Sequence, residues 1–239
     1  KVALSGDGGD ELLGGYLRVQ KAMKNTNTIF SSFNHLIFNL YPSQFGTGST
    51  FLSKNTDLNT RYNSFLSDSK LFNLLEINNE SVKLNQFSET EFKDNYKHLM
   101  DNEYKFFLSQ MMMFKVDRAS MANSLEIRSP FVDNKLIEYV FSHSYEYFNI
   151  NEPKLLLKNY LQKEFGPNFL NRKKQGFMFD VESFVYKYED EFYENIKYLS
   201  KVFDLNIKSI KNLFKFKTRM NANRIWKLKV LSNYFSKNL

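Results

Sequence analysis

Seven residues near the amino end, Ser5-Gly6-Asp7-Gly8-Gly9-Asp10-Glu11, hold the ingredients of an anion cradle. Glycines let a guest approach the backbone, and a helix starting here would aim successive N–H groups at one point. Phosphate is the natural guest. Three carboxylates in the same stretch would repel it unless a divalent cation lay between, and Mg2+ held by one or two acids plus phosphate oxygens resolves that conflict. The turn therefore predicts a metal-nucleotide complex, although the same residues serve equally as a tight turn in which Asp10 caps a helix. Two distant cations could complete such a site: Lys154, at a predicted helix start, and Lys174, in the loop that contains Gly176. An ammonium meets the charge of a departing phosphate as a point charge, yet most lysines only solvate a surface. The pair gains meaning only if the fold joins it to the turn.

Other charges stand where burial is expected: Asp117 and Arg118 inside an apolar helix, Glu126 and Arg128 just after it. Buried charges need partners, so these read either as an ion-pair cluster fixing a helix-to-strand corner or as lining of a substrate cleft. His35, His98 and His143 have no ligand-like spacing, and the run Met111 to Met113 reads as packing. With no Cys in the chain, disulfides, thiolate metal sites and cysteine nucleophiles are excluded.

Positioning these residues takes one strand and many helices. Val2-Ala3-Leu4 is a short apolar run ending in the glycine turn, the pattern of a buried parallel strand. A helix should follow from Asp10, interrupted at Gly14-Gly15. Residues 25–94 are polar and Asn/Ser-rich and predict short helices and long loops. Asp101 to Leu125 carries the 3–4 rhythm, with enough extra Met and Phe to place it in the middle of a bundle. Pro130 forces Ser129 out of the helical region, so 126–131 must cross as an extended segment before a helix resumes near Asn134. Further helices are predicted at Lys154 to Phe165, Val181 to Phe203 and Asn223 to Ser236, with a basic loop over Arg172 to Phe177. Parallel strands do not stand alone, so the strand's neighbours are expected upstream of Lys1.

The hydrophobic fraction of 42% and the aromatic share of 17% exceed what a disordered chain carries, and one compact body is expected. The formal charge of +7 is local: Leu205 to Leu239 holds nine basic residues and no acid, while the preceding 204 residues hold 24 basic against 26 acidic side chains. A solvated helix face or an acidic partner would account for that segment; nucleic acid is the weaker reading, since no binding motif accompanies it. No apolar run approaches the ~20 residues of a membrane span, and the absence of Cys suits a cytoplasmic setting.

Three stretches, in this order, resemble the synthetase domain of the glutamine-hydrolysing asparagine synthetase family: Leu4 to Tyr16, Lys115 to Asp133 and Asn171 to Phe177, with a weaker fourth from Arg224 to Leu231. The resemblance implies that residues 1–239 are the C-terminal portion of that domain. The chain as it stands would be mostly α, the helical part of an α/β adenine-nucleotide alpha-hydrolase-like (ATP pyrophosphatase) fold, with one N-terminal parallel strand. It implies ATP and Mg2+ as cofactors. A small-molecule carboxylate, aspartate or a related acid, would become an acyl-adenylate with loss of pyrophosphate before glutamine-derived ammonia attacks. On this resemblance Ser5, Gly6 and Gly8 border the nucleotide, Asp10 holds Mg2+, and Asp7 lies near the reacting carboxylate or amine. Lys154 and Lys174 neutralise the developing pyrophosphate, Lys174 being the catalytic cation. Two departures bear on the acceptor: Asp7 stands where the longer Glu is common, and Ser109-Gln110-Met111 where relatives carry acids.

Such enzymes also have an N-terminal glutaminase with a nucleophilic Cys and an upstream phosphate loop. Neither is in this sequence, so the chain is expected to be silent by itself and to need those segments as partners. A homodimer is left open. The competing reading is a non-catalytic helical module that keeps the ligase scaffold and binds an acidic partner through its basic C-terminal segment.

Overall fold

The computed structural model describes residues 1–24, 31–54, 57–76, 94–143, 152–171 and 179–238. They form two compact units rather than one body. The first holds described residues from 1–24, 57–62, 94–143 and 152–171; the second holds those from 31–54, 63–76 and 179–238.

In the first unit, β1 (Val2–Leu4) runs into α1 (Gly9–Leu12) and α2 (Leu17–Met23). β1 pairs in parallel with β2 (Glu126–Arg128), Val2 opposite Glu126 and Leu4 opposite Arg128. The extended crossing expected over 126–131 is a strand only to Arg128: Ser129 stays extended at φ −111° and ψ 112° before Pro130, and Pro130–Val132 turns as a 3-10 helix. The expectation of a buried strand fails: Leu4 is 75% exposed, and Val2 is exposed beside it.

A helical run extends from Asn95 to Met121 through α7 (Asn95–Asn102), a π-helical stretch (Glu103–Met113) and α8 (Phe114–Met121). Asp94 starts it, its carboxylate accepting from the Tyr96 and Lys97 amides at 2.8 and 3.4 Å. Placement of this helix in the middle of a bundle is corrected. Met111, Phe114 and Met121 are all exposed, Phe114 by 58%, while Leu108 is buried. The reason is the period. A 3–4 stripe faces one way only at 3.6 residues per turn, and i→i+5 bonding over Glu103–Met113 rotates later side chains out of register.

α9 (Asn134–Ser142), capped by Asp133, and the later helix Leu155–Phe165 complete this unit. Its core is Leu12, Leu13, Val19, Ala22, Tyr62, Tyr96, Leu99, Met100 and Val140.

The second unit opens on α3 (Ser31–Leu40), α4 (Ser49–Leu52) and α6 (Ser69–Leu74); α5 is Leu58–Leu66, and Leu155–Phe165 is α10. It closes on α11 (Val181–Lys187), α12 (Glu189–Phe203), α13 (Ile207–Lys215) and α14 (Arg219–Asn238). The single helix expected over 181–203 breaks at Tyr188, where Glu189, Asp190 and Glu191 supply the acids of a new first turn. α13 was not foreseen, although Ile207, Ile210, Leu213 and Phe214 keep helical spacing and Asn206 caps it at the Ser209 amide, 3.1 Å away.

Arg224 corrects the reading of the basic segment as wholly solvated. It is 1% exposed, and its guanidinium donates to both Asp68 oxygens at 2.7 and 3.0 Å and to the Ser43 carbonyl at 2.7 Å. Asp68 also caps α6 through the Leu71 amide. Burial of so basic a side chain is tolerable because every face of it has an acceptor.

Candidate functional site

The glycine turn is built by its neighbours. Ser5 donates its amide to the Arg128 carbonyl at 2.9 Å, continuing the strand pairing, and the Ser129 hydroxyl donates to the Asp7 carbonyl. Gly8 sits at φ +90° as the cap of α1, and a β-carbon there would press on Val132 and Phe131 at 3.1 and 3.2 Å. Only glycine meets both conditions without strain. Asp10 is therefore not the cap; it lies in the first turn of α1, where a carboxylate is favoured.

Lys154 reaches the turn. Its ammonium lies 2.9 Å from Asp10 Oδ1, and its own amide donates to the Leu13 carbonyl at 3.0 Å. This lysine starts α10 in the left-handed region, φ +57°, a conformation an L side chain adopts at a cost of about 1 kcal/mol. The adjoining glycine makes room: a β-carbon on Gly15 would collide with Asp10 Oδ1 and stand 2.5 Å from Lys154 Cε.

Gly6 is exposed with nothing within 4 Å of where a β-carbon would be, and Ser5 Oγ is buried without a hydrogen-bond partner among the described residues. An open glycine beside an orphaned hydroxyl fits a guest bearing acceptor oxygens. Asp7 and Asp10 are half-buried carboxylates of the same turn. Among the described residues no group of three or more metal-ligating side chains forms. One or two carboxylates plus phosphate oxygens is how Mg2+ is ordinarily held, so the donor set fits a metal carried in with phosphate.

A second layer escaped the sequence reading. Glu11 is buried, and burial pushes its carboxyl above the usual range while the Tyr16 hydroxyl donates to Oε1 at 2.7 Å. Burial also raises the Tyr16 phenol. Arg18 lies 3.9 Å from the Tyr16 ring centroid and 4.1 Å from that of Phe107, and donates twice to Glu103 at 2.6 and 2.5 Å. This stack anchors the segment behind the turn. Tyr16 is near Glu11 in sequence, but Glu103 joins Arg18 only through tertiary structure.

The remaining predicted residues separate. Lys174 lies outside the described residues. Asp117 and Arg118 are exposed, correcting the expected burial; Arg118 lies 4.8 Å from the Phe114 ring centroid. Glu126 and Arg128 pair with each other at 2.8 Å, both exposed, an arrangement worth at most about 1 kcal/mol. Their burial is overturned for a simple reason: alternate residues of β2 face outward, and Ile127 between them points the other way.

The glycine turn is thus backed by a parallel strand pair and met by a lysine distant in sequence. The chain belongs to the asparagine synthase family, which residues 1–205 match. It is similar to the glutamine-hydrolysing asparagine synthetase 1 of Bacillus subtilis (strain 168), 27% identical over 212 residues that make up 82% of this chain and 33% of that relative. The chain thus spans about a third of the length of the curated relative it matches. No solved structure matches it. The resemblance carried by the sequence motifs is borne out by the family match. Among the described residues no helix is long and apolar enough to cross a membrane.

Proposed function

We propose that this chain is part of an ATP-dependent ligase that forms an amide from a small-molecule carboxylate, aspartate or a related acid, with ammonia drawn from glutamine. In that reaction a carboxylate oxygen attacks the α-phosphorus of ATP and pyrophosphate departs. Ammonia then attacks the acyl carbon and displaces AMP, losing a proton. The helical units would be the C-terminal part of an α/β ATP pyrophosphatase fold, acting in the cytoplasm with a glutaminase and an upstream phosphate loop.

The observation that carries the reading is the Lys154 ammonium held 2.9 Å from Asp10 at the glycine turn. Asp10, with Asp7 beside it, would hold Mg2+, whose part is to neutralise phosphate oxygens. Lys154 supplies a fixed positive charge where pyrophosphate gathers negative charge, and stabilisation confined to the transition state raises the rate. The Ser5 hydroxyl, the open Gly6 and the Gly8 backbone would border the nucleotide. Lys174 would serve as the catalytic cation, and Asp7 would set the distance to the acceptor carboxylate or amine.

The test is exchange of labelled pyrophosphate into ATP by this chain mixed with its upstream segment. Exchange should be strong in the mixture, absent for the chain alone, and reduced roughly a hundredfold or more by Lys154→Ala or Lys174→Ala. A mixture that forms a complex yet never exchanges would replace the ligase with a non-catalytic interaction module. Undiminished exchange by both variants would remove the lysines from the reaction.

A further inference from the structure

The second unit contains a cleft of about 330 Å3 between α11, α12 and α14, within the size range of small-molecule sites. Its wall is aromatic. The Phe184 ring centroid lies 5.0 Å from that of Tyr188 and 5.9 Å from that of Trp226, and Phe192 stands 6.1 Å from Trp226. These rings are not sealed into the core: Phe184 and Trp226 are each 37% exposed. Phe179 packs against both, its centroid 5.3 Å from that of Phe184 and 5.9 Å from that of Trp226, and the exposure that remains leaves apolar surface for a flat guest to cover.

The polar lining narrows the guest. Lys229 faces the cleft with its ammonium 5.7 Å from the Phe192 centroid and 3.4 Å from Glu191 Oε1. One cation and one anion, a few ångströms apart at the edge of a ring-lined wall, match a molecule that is neutral overall but carries both charged groups on one carbon near an aromatic ring. A purely cationic guest would meet Lys229 and a purely anionic one Glu191, each repelled by a like charge. At 3.4 Å the pair is loose enough for a guest to divide it. The family match ends at residue 205, before the α14 wall begins.

We propose that this cleft binds an aromatic α-amino acid as its zwitterion. The ring lies against Trp226 and Phe184, the carboxylate accepts from Lys229, and the ammonium donates to Glu191. Trp226 is the one tryptophan in the sequence, so its emission reports the cleft directly. Titration with L-phenylalanine, paralleled by equilibrium dialysis of the labelled amino acid, should give one saturable transition. Lys229→Met and Glu191→Gln, which keep side-chain length, should each weaken binding about tenfold or more with unchanged circular dichroism. On the unaltered protein, 3-phenylpropionate and phenethylamine, each lacking one charge, should bind more weakly than L-phenylalanine. The proposal is overturned if dialysis shows no saturable binding or if both folded variants bind as tightly as the parent. It also fails if the single-charge analogues match the amino acid, or if adenosine fills the cleft in its place. The analogue series decides the matter even should a variant lose its fold.

Discussion

Arg224 shows how much a single side chain can differ from its type. Nothing local distinguishes it from the lysines around it, yet it is the cation that Asp68 and the Ser43 carbonyl enclose. Arg224→Met should cost about 3–5 kcal/mol in urea unfolding, because Asp68 would be left buried and unpaired. Gly15 is its counterpart at the site. Gly15→Ala would push Asp10 from Lys154, and should lower pyrophosphate exchange in the mixture roughly ten- to a hundredfold while leaving the folded content unchanged. A third side chain couples stability to pH. His98, whose Nε2 lies 3.0 Å from Asn59 Oδ1, has its pKa lowered from 6.5 first by burial, with Asp101 opposing. As the pH falls through 6.5 the unfolded chain takes up a proton that the folded chain refuses, so stability falls with acidification. His98→Gln should flatten that slope between about pH 5 and 7, measured as the urea midpoint at each pH.

Among the elements, legibility followed the locality of the signal. The helix that begins at Asn134 was visible from Pro130, because that effect acts within a turn, and the one near Lys154 matched its expected range to Phe165. The boundary at Tyr188 could have been found from its three acids, and α13 from its apolar spacing. The faces of Glu103–Met113 and α8 could not, since a change in helical period moves every later residue around the axis. Phe114 belongs by sequence to a core stripe but is exposed, so Phe114→Ser should change the unfolding free energy of this chain by no more than about 0.5 kcal/mol. A core role for the ring would cost several times that, and urea unfolding separates the two.

For the molecule as a whole, two cores replace the single one expected from length and composition. Each is assembled from segments distant in sequence. Ile196 is fully buried in the second, and Ile196→Ala should remove about 2–5 kcal/mol from the transition followed by Trp226 emission. An unchanged midpoint would show that this helix packs otherwise.

From sequence alone came the family, the glycine turn and the candidacy of Lys154, because glycine, carboxylate and ammonium carry their chemistry wherever they stand. Tertiary structure decided which charges are buried, which apolar faces are covered, and that Lys154 rests on Asp10. Those properties belong to pairs of residues far apart in the chain. Burial and ion pairing depend on distances in space, and a linear order of side chains does not contain them.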